Sequence, residues 1–410
     1  MKLKKYALKI GQLLLVTLWL AQPASAERVT NLYTLSSWVA DTSDEQRALV
    51  ANELLKKLFV KVSGTVAVLE KMPPEDFSKR LINQDQDNET EFLELYSEHP
   101  SYELWKELSS AQHLINQFSY TASNEPVTLT NGEVVKGQHL ELTFDEDGVK
   151  NLLRRLNTQV WDANRPKVLF WVALESRNGR TLITQESNAP LSKVLTDQSE
   201  ERGLPYQLPD FNIHPATDTL FSDIWGGFSQ QIIAASEPYE PDAVAVGKIR
   251  ASGNSWRVEW RLFTGMGSVW HSATATTLRE ALQEGVHFTA EELSKRYASQ
   301  VGQGAGTYQV MVSNVKRVQD YAAISNYLNG LSLASKVRVA QSADQRILFE
   351  LTLRGGLDQL RANLALDGRL KEESFFGLQQ TSSYSQKAVT DQPEKPSTEQ
   401  ADAYFRWQAN

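Results

Sequence analysis

The stretch 241–270, PDAVAVGKIRASGNSWRVEWRLFTGMGSVW, narrows the choice of fold more than any other part of the chain. Ala243, Val244, Ala245 and Val246 form a nearly unbroken apolar run ended by Gly247, as in a strand covered on both faces. Residues 252–255, Ser-Gly-Asn-Ser, are turn chemistry, because glycine and asparagine tolerate positive φ. Trp256, Val258, Trp260 and Leu262 then alternate with Arg257, Glu259 and Arg261, so one face is apolar and the other charged. A second turn at 264–268 starts a third strand at Val269 and Trp270. The helix expected at 278–297 turns Leu282, Val286, Leu293 and Tyr297 inward.

The segments before this hairpin fit the same sheet. Residues 168–174, VLFWVAL, read as a buried strand, and Asn178 and Gly179 as a turn. A helix over 191–202, a short strand after Gly203 and a helix over 217–235 follow. Strand, helix, strand, helix, three strands, helix is an α/β order with a mixed sheet, occupying 165–301.

An α+β domain precedes it over 28–160. A strand within 29–40 leads to a helix opened by Ser43 and Gln46 at capping-box spacing. Val50, Leu54, Leu58 and Val62 make one stripe of that helix, and Gly64 ends it. Charge-rich helical spacing runs over 81–115. Strands are expected at 118–122, 127–130 and 138–144, with Asn131 and Gly132 as a hairpin turn, and a last helix carries Val149, Leu152, Leu153 and Leu156.

After a glycine-rich hinge at 301–306, residues 307–375 read as a ferredoxin-like β-α-β-β-α-β module, with Tyr321, Ile324, Tyr327 and Leu328 on the inward face of its first helix. Residues 377–410 form a tail low in apolar residues, expected to be disordered, that ends in the aromatic cluster Tyr404, Phe405 and Trp407. Two readings of that cluster stand side by side: a short strand docked on a sheet edge of this molecule or another, and a floppy terminus.

The chain begins with Lys2, Lys4, Lys5 and Lys9, then the apolar run 13–20, then Ala24-Ser25-Ala26. These are the three parts of a cleavable secretory signal, 1–26, and they point to the periplasm. The run is too short to span a membrane comfortably, and no second long apolar stretch follows, so a soluble exported protein is expected. Removing the four signal lysines takes the formal charge from −8 to −12. An acidic surface disfavours nucleic acid, and the absence of cysteine excludes disulfides and thiolate chemistry.

No reaction is legible. There is no Gly-x-Ser-x-Gly elbow and no His-Glu-x-x-His, and no cofactor motif or cofactor is expected. Asp85, Asp87 and Glu89 alternate as in a calcium loop, but they lack its glycine and its terminal glutamate. His287 with Glu284 and Glu291 reads as an ion-pair face before a metal site. Asp210 and Asp223 read as caps. Trp171, Trp225, Trp256, Trp260 and Trp270 are dense for one domain. Most belong to the core, and any exposed at the sheet rim would line a groove for a peptide, a glycan strand or a lipid.

The phrases VTNLYTLSSWVADTSDEQRALVANELLKKLFVKVSG, RPKVLFWVALE, LPDFNIHPATDTLFSDIWGGFSQQIIAASEPYEPDAVAVGKI and WRVEWRLF carry a resemblance covering roughly residues 28–370. By them the chain resembles a gammaproteobacterial envelope family catalogued as a domain of unknown function. In topology, 166–297 resembles the α/β domain of the amino-terminal part of TolB, of outer-membrane activators of peptidoglycan synthases and of flagellar assembly protein T. That resemblance implies a binding or assembly factor with envelope protein partners, associated with the outer membrane or peptidoglycan, and no site residues come with it. The alternatives are a carrier of an apolar or lipid ligand, and a hydrolase of an envelope polymer working through Asp210, Asp223 or Glu259. The candidate interaction surface is Arg257, Glu259 and Arg261 with Tyr404, Phe405 and Trp407.

Overall fold

A computed structural model of the chain describes residues 29–77, 89–128, 134–186, 189–210, 218–265, 267–299, 304–373 and 401–408. Across them the protein is a mixed α+β structure built on three sheets. The signal expected at 1–26, the acidic positions Asp85 and Asp87, the turn at Asn131 and Gly132, the first half of the 301–306 hinge and the tail 377–400 lie outside the described residues.

The first unit contains β1 (Thr34–Val39), α1 (Asp44–Ser63), α2 (Glu89–Tyr96), α3 (Tyr102–Leu108), β2 (Ile115–Thr128), β3 (Val134–Phe144) and α4 (Glu146–Arg155). Its sheet is antiparallel in the order β1-β3-β2. Ser43 caps α1 by accepting from the Gln46 amide, and Gly64 closes it in the left-handed conformation. Leu54, Leu58 and Val62 share a core with Leu140 and Leu142 of β3 and Leu152 and Leu153 of α4.

The middle unit contains β4 (Val168–Ser176), β5 (Gly179–Ile183), α5 (Ala189–Glu201), β6 (Tyr206–Gln207), α6 (Asp218–Gly226), α7 (Ser229–Ser236), β7 (Ala243–Ser252), β8 (Ser255–Thr264), β9 (Gly267–Ala275) and α8 (Leu278–Tyr297). The strand order is β5-β4-β7-β8-β9, with β6 parallel to the start of β4. β4 and β7 are parallel and the other neighbours on this path antiparallel. Where one helix was expected over 217–235, there are two. The chain breaks at Gly226 and Gly227, and Gly227 adopts φ +74°, a conformation that glycine enters without steric cost.

One face of this sheet packs under α5 and α8: Phe170, Val172, Ala245, Val258, Trp260 and Leu262 share a core with Leu195, Leu282 and Leu293. The other face carries Leu169, Trp171, Val244 and Val246 against Leu220, Ile224 and Ile232 of α6 and α7. Covered on both sides, β4 and β7 begin as continuous apolar runs; β8, covered on one, alternates. The Trp260 indole lies against Gly247 and Gly285, where any β-carbon would overlap the ring, and its Nε1–H donates to the Ala281 carbonyl at 3.3 Å.

The third unit contains β10 (Gly306–Ser313), α9 (Val318–Gly330), β11 (Ala334–Ala343), β12 (Arg346–Leu353), α10 (Leu357–Asp367), β13 (Leu370–Glu372) and β14 (Ala403–Trp407). Its sheet order is β11-β12-β10-β14-β13. Residues 403–407 are therefore an inner strand, parallel to β10 and antiparallel to β13. This corrects the floppy-terminus reading for 401–408 and extends the unit beyond 375. Apolar side chains alternating along β14 offer more buried area than a free end gives up in entropy. Ile324 and Leu328 face inward on α9 as expected, whereas Tyr321 is exposed.

Residues 157–165, which include the boundary expected between 160 and 165, form a buried joint between units. The Trp161 amide donates to the Val62 carbonyl at 2.8 Å. Arg165 is fully buried, and each of its donor hydrogens finds a main-chain carbonyl: Asp162, Arg202, Gly203, Lys61 and Trp161, at 2.8–3.0 Å. Arg202 donates to the Gly64 carbonyl at 2.7 Å and to Glu291 at 3.1 Å. Asp162 accepts from the Ser332 amide and hydroxyl, tying in the third unit.

Candidate functional site

The helices α6 and α7 pack over β4, β5 and β7, reach β8 only at Phe263 and Arg261, and leave β9 uncovered. Half of that face is left open, and the sheet register dictates what stands on it. Residues paired across neighbouring strands share a face. Arg261 lies between Val246 and Trp270; Glu259 lies between Lys248 and Ser272; Arg257 lies between Arg250 and Thr274. The charged set Arg257, Glu259 and Arg261 thus forms one column of this open face, with Lys248 and Arg250 beside it on β7.

Between α6–α7 and this column lies a hollow of about 450 Å³, lined among others by Ile232, Lys248, Glu259, Arg261, Phe263 and Trp270. Trp270 is 74 % exposed, and Phe228 and Ile233 add exposed apolar surface from α7 and its N-terminal end. Arg261 donates to the Ser229 hydroxyl at 3.3 Å and lies over the Phe263 ring. At the far side Glu175 accepts from Arg180 at 2.9 Å and Arg250 at 2.8 Å, which lowers its carboxyl pKa, the Arg180 bond contributing most. Arg250 also stacks over Trp225. Arg257 and Lys248 have no carboxylate within ion-pair distance among the described residues.

The strand beyond this face, β9, is an edge of the sheet among the described residues. Its other side is hollow too. A depression of about 290 Å³ is lined by Ala273, Ala275, Glu280, Gln283, Glu284 and His287. There His271 stacks on Phe288 and hydrogen-bonds Glu284 at 2.8 Å.

The remaining sequence candidates go elsewhere. Phe405 and Trp407, 1 % and 7 % exposed, are core residues of the third unit, and Tyr404 is half-buried beside them. They do not join Arg257, Glu259 and Arg261 in one surface. The Glu284–His287–Glu291 face splits its partners: Glu284 pairs with His271, and Glu291 with Arg202. His287 Nδ1 accepts from Arg202 at 2.6 Å, and burial followed by that cation lowers its pKa. No group of three or more His, Asp or Glu among the described residues is placed to hold a metal. The main chain of Asp210 is closed by the Tyr239 hydroxyl, and the Asp223 carbonyl accepts from the Phe228 amide. Sequence reading missed Lys248, Arg250, Phe228 and Ile233. The alternation of Lys248 and Arg250 about Ile249 was the available signal, masked by the apolar run before it. No helix among the described residues is long and apolar enough to cross a membrane.

No family model, no curated protein and no solved structure matches the chain.

Proposed function

We propose that the protein is a periplasmic binding or assembly factor of the cell envelope, docking a protein partner on the open half of its middle sheet. One observation supports this most: Trp270, on the edge strand β9, stands in solvent beside Arg261 over a hollow, with Glu259 and Arg257 continuing the same open face. Exposed aromatic and arginine side chains around a concavity are the composition of protein-binding hot spots. The finer fold reading goes with it. The middle unit is an α/β domain of the TolB and flagellar-assembly type, and the third is a ferredoxin-like module opened by β14. Export rests on the residues of 1–26.

The carrier reading needs tryptophans around an enclosed cavity. Trp171 and Trp260 are packed in the two cores, and Trp225 and Trp256 lie against them. A photo-crosslinking amino acid placed at 270 or 257 in the full chain, in cells, is expected to capture a discrete envelope protein, with a matched position on β11 capturing none. Recovery from 270 and 257 of nothing beyond what β11 yields would overturn the reading.

A further inference from the structure

We infer that β9 is the acceptor edge for an extended acidic peptide segment of the partner, which joins the middle sheet as its next strand. This rests on the docking reading above and adds the partner's conformation and charge.

Among the described residues no strand pairs with the outer edge of β9, and its sequence carries no blunting device. In an antiparallel ladder every second residue turns its N–H and C=O away from its neighbour. Counted from the closing pair Thr264 and Gly267, those on β9 are Ser268, Trp270, Ser272 and Thr274. Edge strands are ordinarily blunted by shortness, charge, proline or a bulge. The other edges have such devices. β11 carries Lys336, Arg338 and two register shifts, β2 has Pro126 and two register shifts, and β1, β5 and β13 are six residues or fewer. By contrast, β9 runs nine residues, GSVWHSATA, with no Asp, Glu, Lys, Arg or proline and no register shift against β8.

Both flanks of β9 are hollow, so side chains alternating along an added strand have space on each face. On the open face the nearest charged side chains are Arg257, Glu259 and Arg261 of β8, one strand in from β9, with Lys248 of β7 behind them, while Arg250 is already paired with Glu175. This basic patch on a chain of net charge −8 selects carboxylates. A second copy fits less well. Antiparallel pairing of two β9 edges about a twofold axis would continue the same face from copy to copy, setting basic patch beside basic patch.

The test uses the full-length chain and three fluorescent nine-residue peptides in anisotropy titrations at low salt. One alternates glutamate and valine, one replaces the glutamates by lysine, and one is the glutamate peptide N-methylated at alternate residues. The glutamate peptide is expected to bind. The lysine and N-methylated peptides are each expected to bind at least roughly tenfold more weakly. Arg257→Glu with Arg261→Glu should cost the glutamate peptide roughly tenfold, two exposed pairs being reversed. Ser272→Pro, which removes an outward N–H, should abolish its binding. Equal binding of the glutamate and lysine peptides, or undiminished binding of the N-methylated one, overturns the inference, and neither depends on a variant that folds. So does no binding by the glutamate peptide, or a concentration-dependent dimer in sedimentation that Ser272→Pro abolishes. If crosslinks from 270 still capture an envelope protein in any of these cases, the docking reading survives and strand addition falls.

Discussion

Arg165 shows how much one side chain carries in this chain. Its guanidinium hydrogen-bonds five carbonyls contributed by the first unit, the joint and the middle unit, and stacks over Trp161. Burial lowers its pKa, yet five carbonyl acceptors on its guanidinium favour the charged form. Arg165→Lys keeps the charge but offers at most three donors in the wrong geometry. It should cost about 2–5 kcal/mol in urea unfolding, because buried carbonyls lose their partners. A change below about 1 kcal/mol would mean water replaces them. Lys61, nearby, is 9 % exposed, and burial first, then Arg165, lowers its pKa to about 8. A depressed folded pKa means the unfolded chain binds more protons between about 8 and 10.5. Stability therefore rises with pH across that window and is lowest below it. Lys61→Met should stabilise the protein at pH 7 by about 1–3 kcal/mol, the value being reduced because Lys61 lines an open cleft. That gain should shrink as pH approaches 10.5, and a gain independent of pH would assign it to packing alone.

At the scale of elements, the strands differ in what surrounds them, and that decides how legible they were. The hairpin β7–β8 was readable because Trp256, Val258, Trp260 and Leu262 alternate with charge over a full strand. Turn residues bounded it on both sides. The single helix expected over 217–235 was misread because Gly226 and Gly227 cost only about 1 kcal/mol each in a helix, too little to end one by propensity alone. Packing over the sheet made the break, turning Ile232 inward while Phe228 stays in solvent. The strand β14 is the strongest case. Its partners β10 and β13 are remote in sequence, so no local pattern shows where it pairs. Phe405→Ala should cost about 3–5 kcal/mol. Hydrogen exchange should quicken in β10, β13 and β14 while β7 and β8 stay protected. Uniform quickening in all three sheets would instead mean the protein unfolds as one unit.

Over the whole molecule, Asp162 of the joint links the first and third units. Its carboxylate accepts from the Ser332 amide at 2.8 Å and from its hydroxyl, and lies 3.4 Å from Lys150. The Asn363 amide donates to the Tyr297 carbonyl at 2.9 Å, a second tie between the middle and third units. Asp162→Ala should loosen the third unit without unfolding the other two. The measurements are a larger radius of gyration in small-angle scattering and faster proteolysis between 299 and 304. An unchanged radius would place the connection in the Asn363 contact alone.

From the sequence alone came what local chemistry decides: the strand period of β8, the Ser43 and Gly64 caps, the α+β class, and the charge of the face holding Arg257, Glu259 and Arg261. Only the tertiary structure decided which of these meet. It buried Phe405 and Trp407 in a sheet and made the 157–165 segment a joint. It also left β9 at an edge, so that Trp270, indistinguishable from Trp260 in the sequence, stands in solvent. Side-chain period is a property of neighbours along the chain. Burial depends on which strand lies alongside and on where a helix stops, and both are set by contacts between residues far apart in sequence.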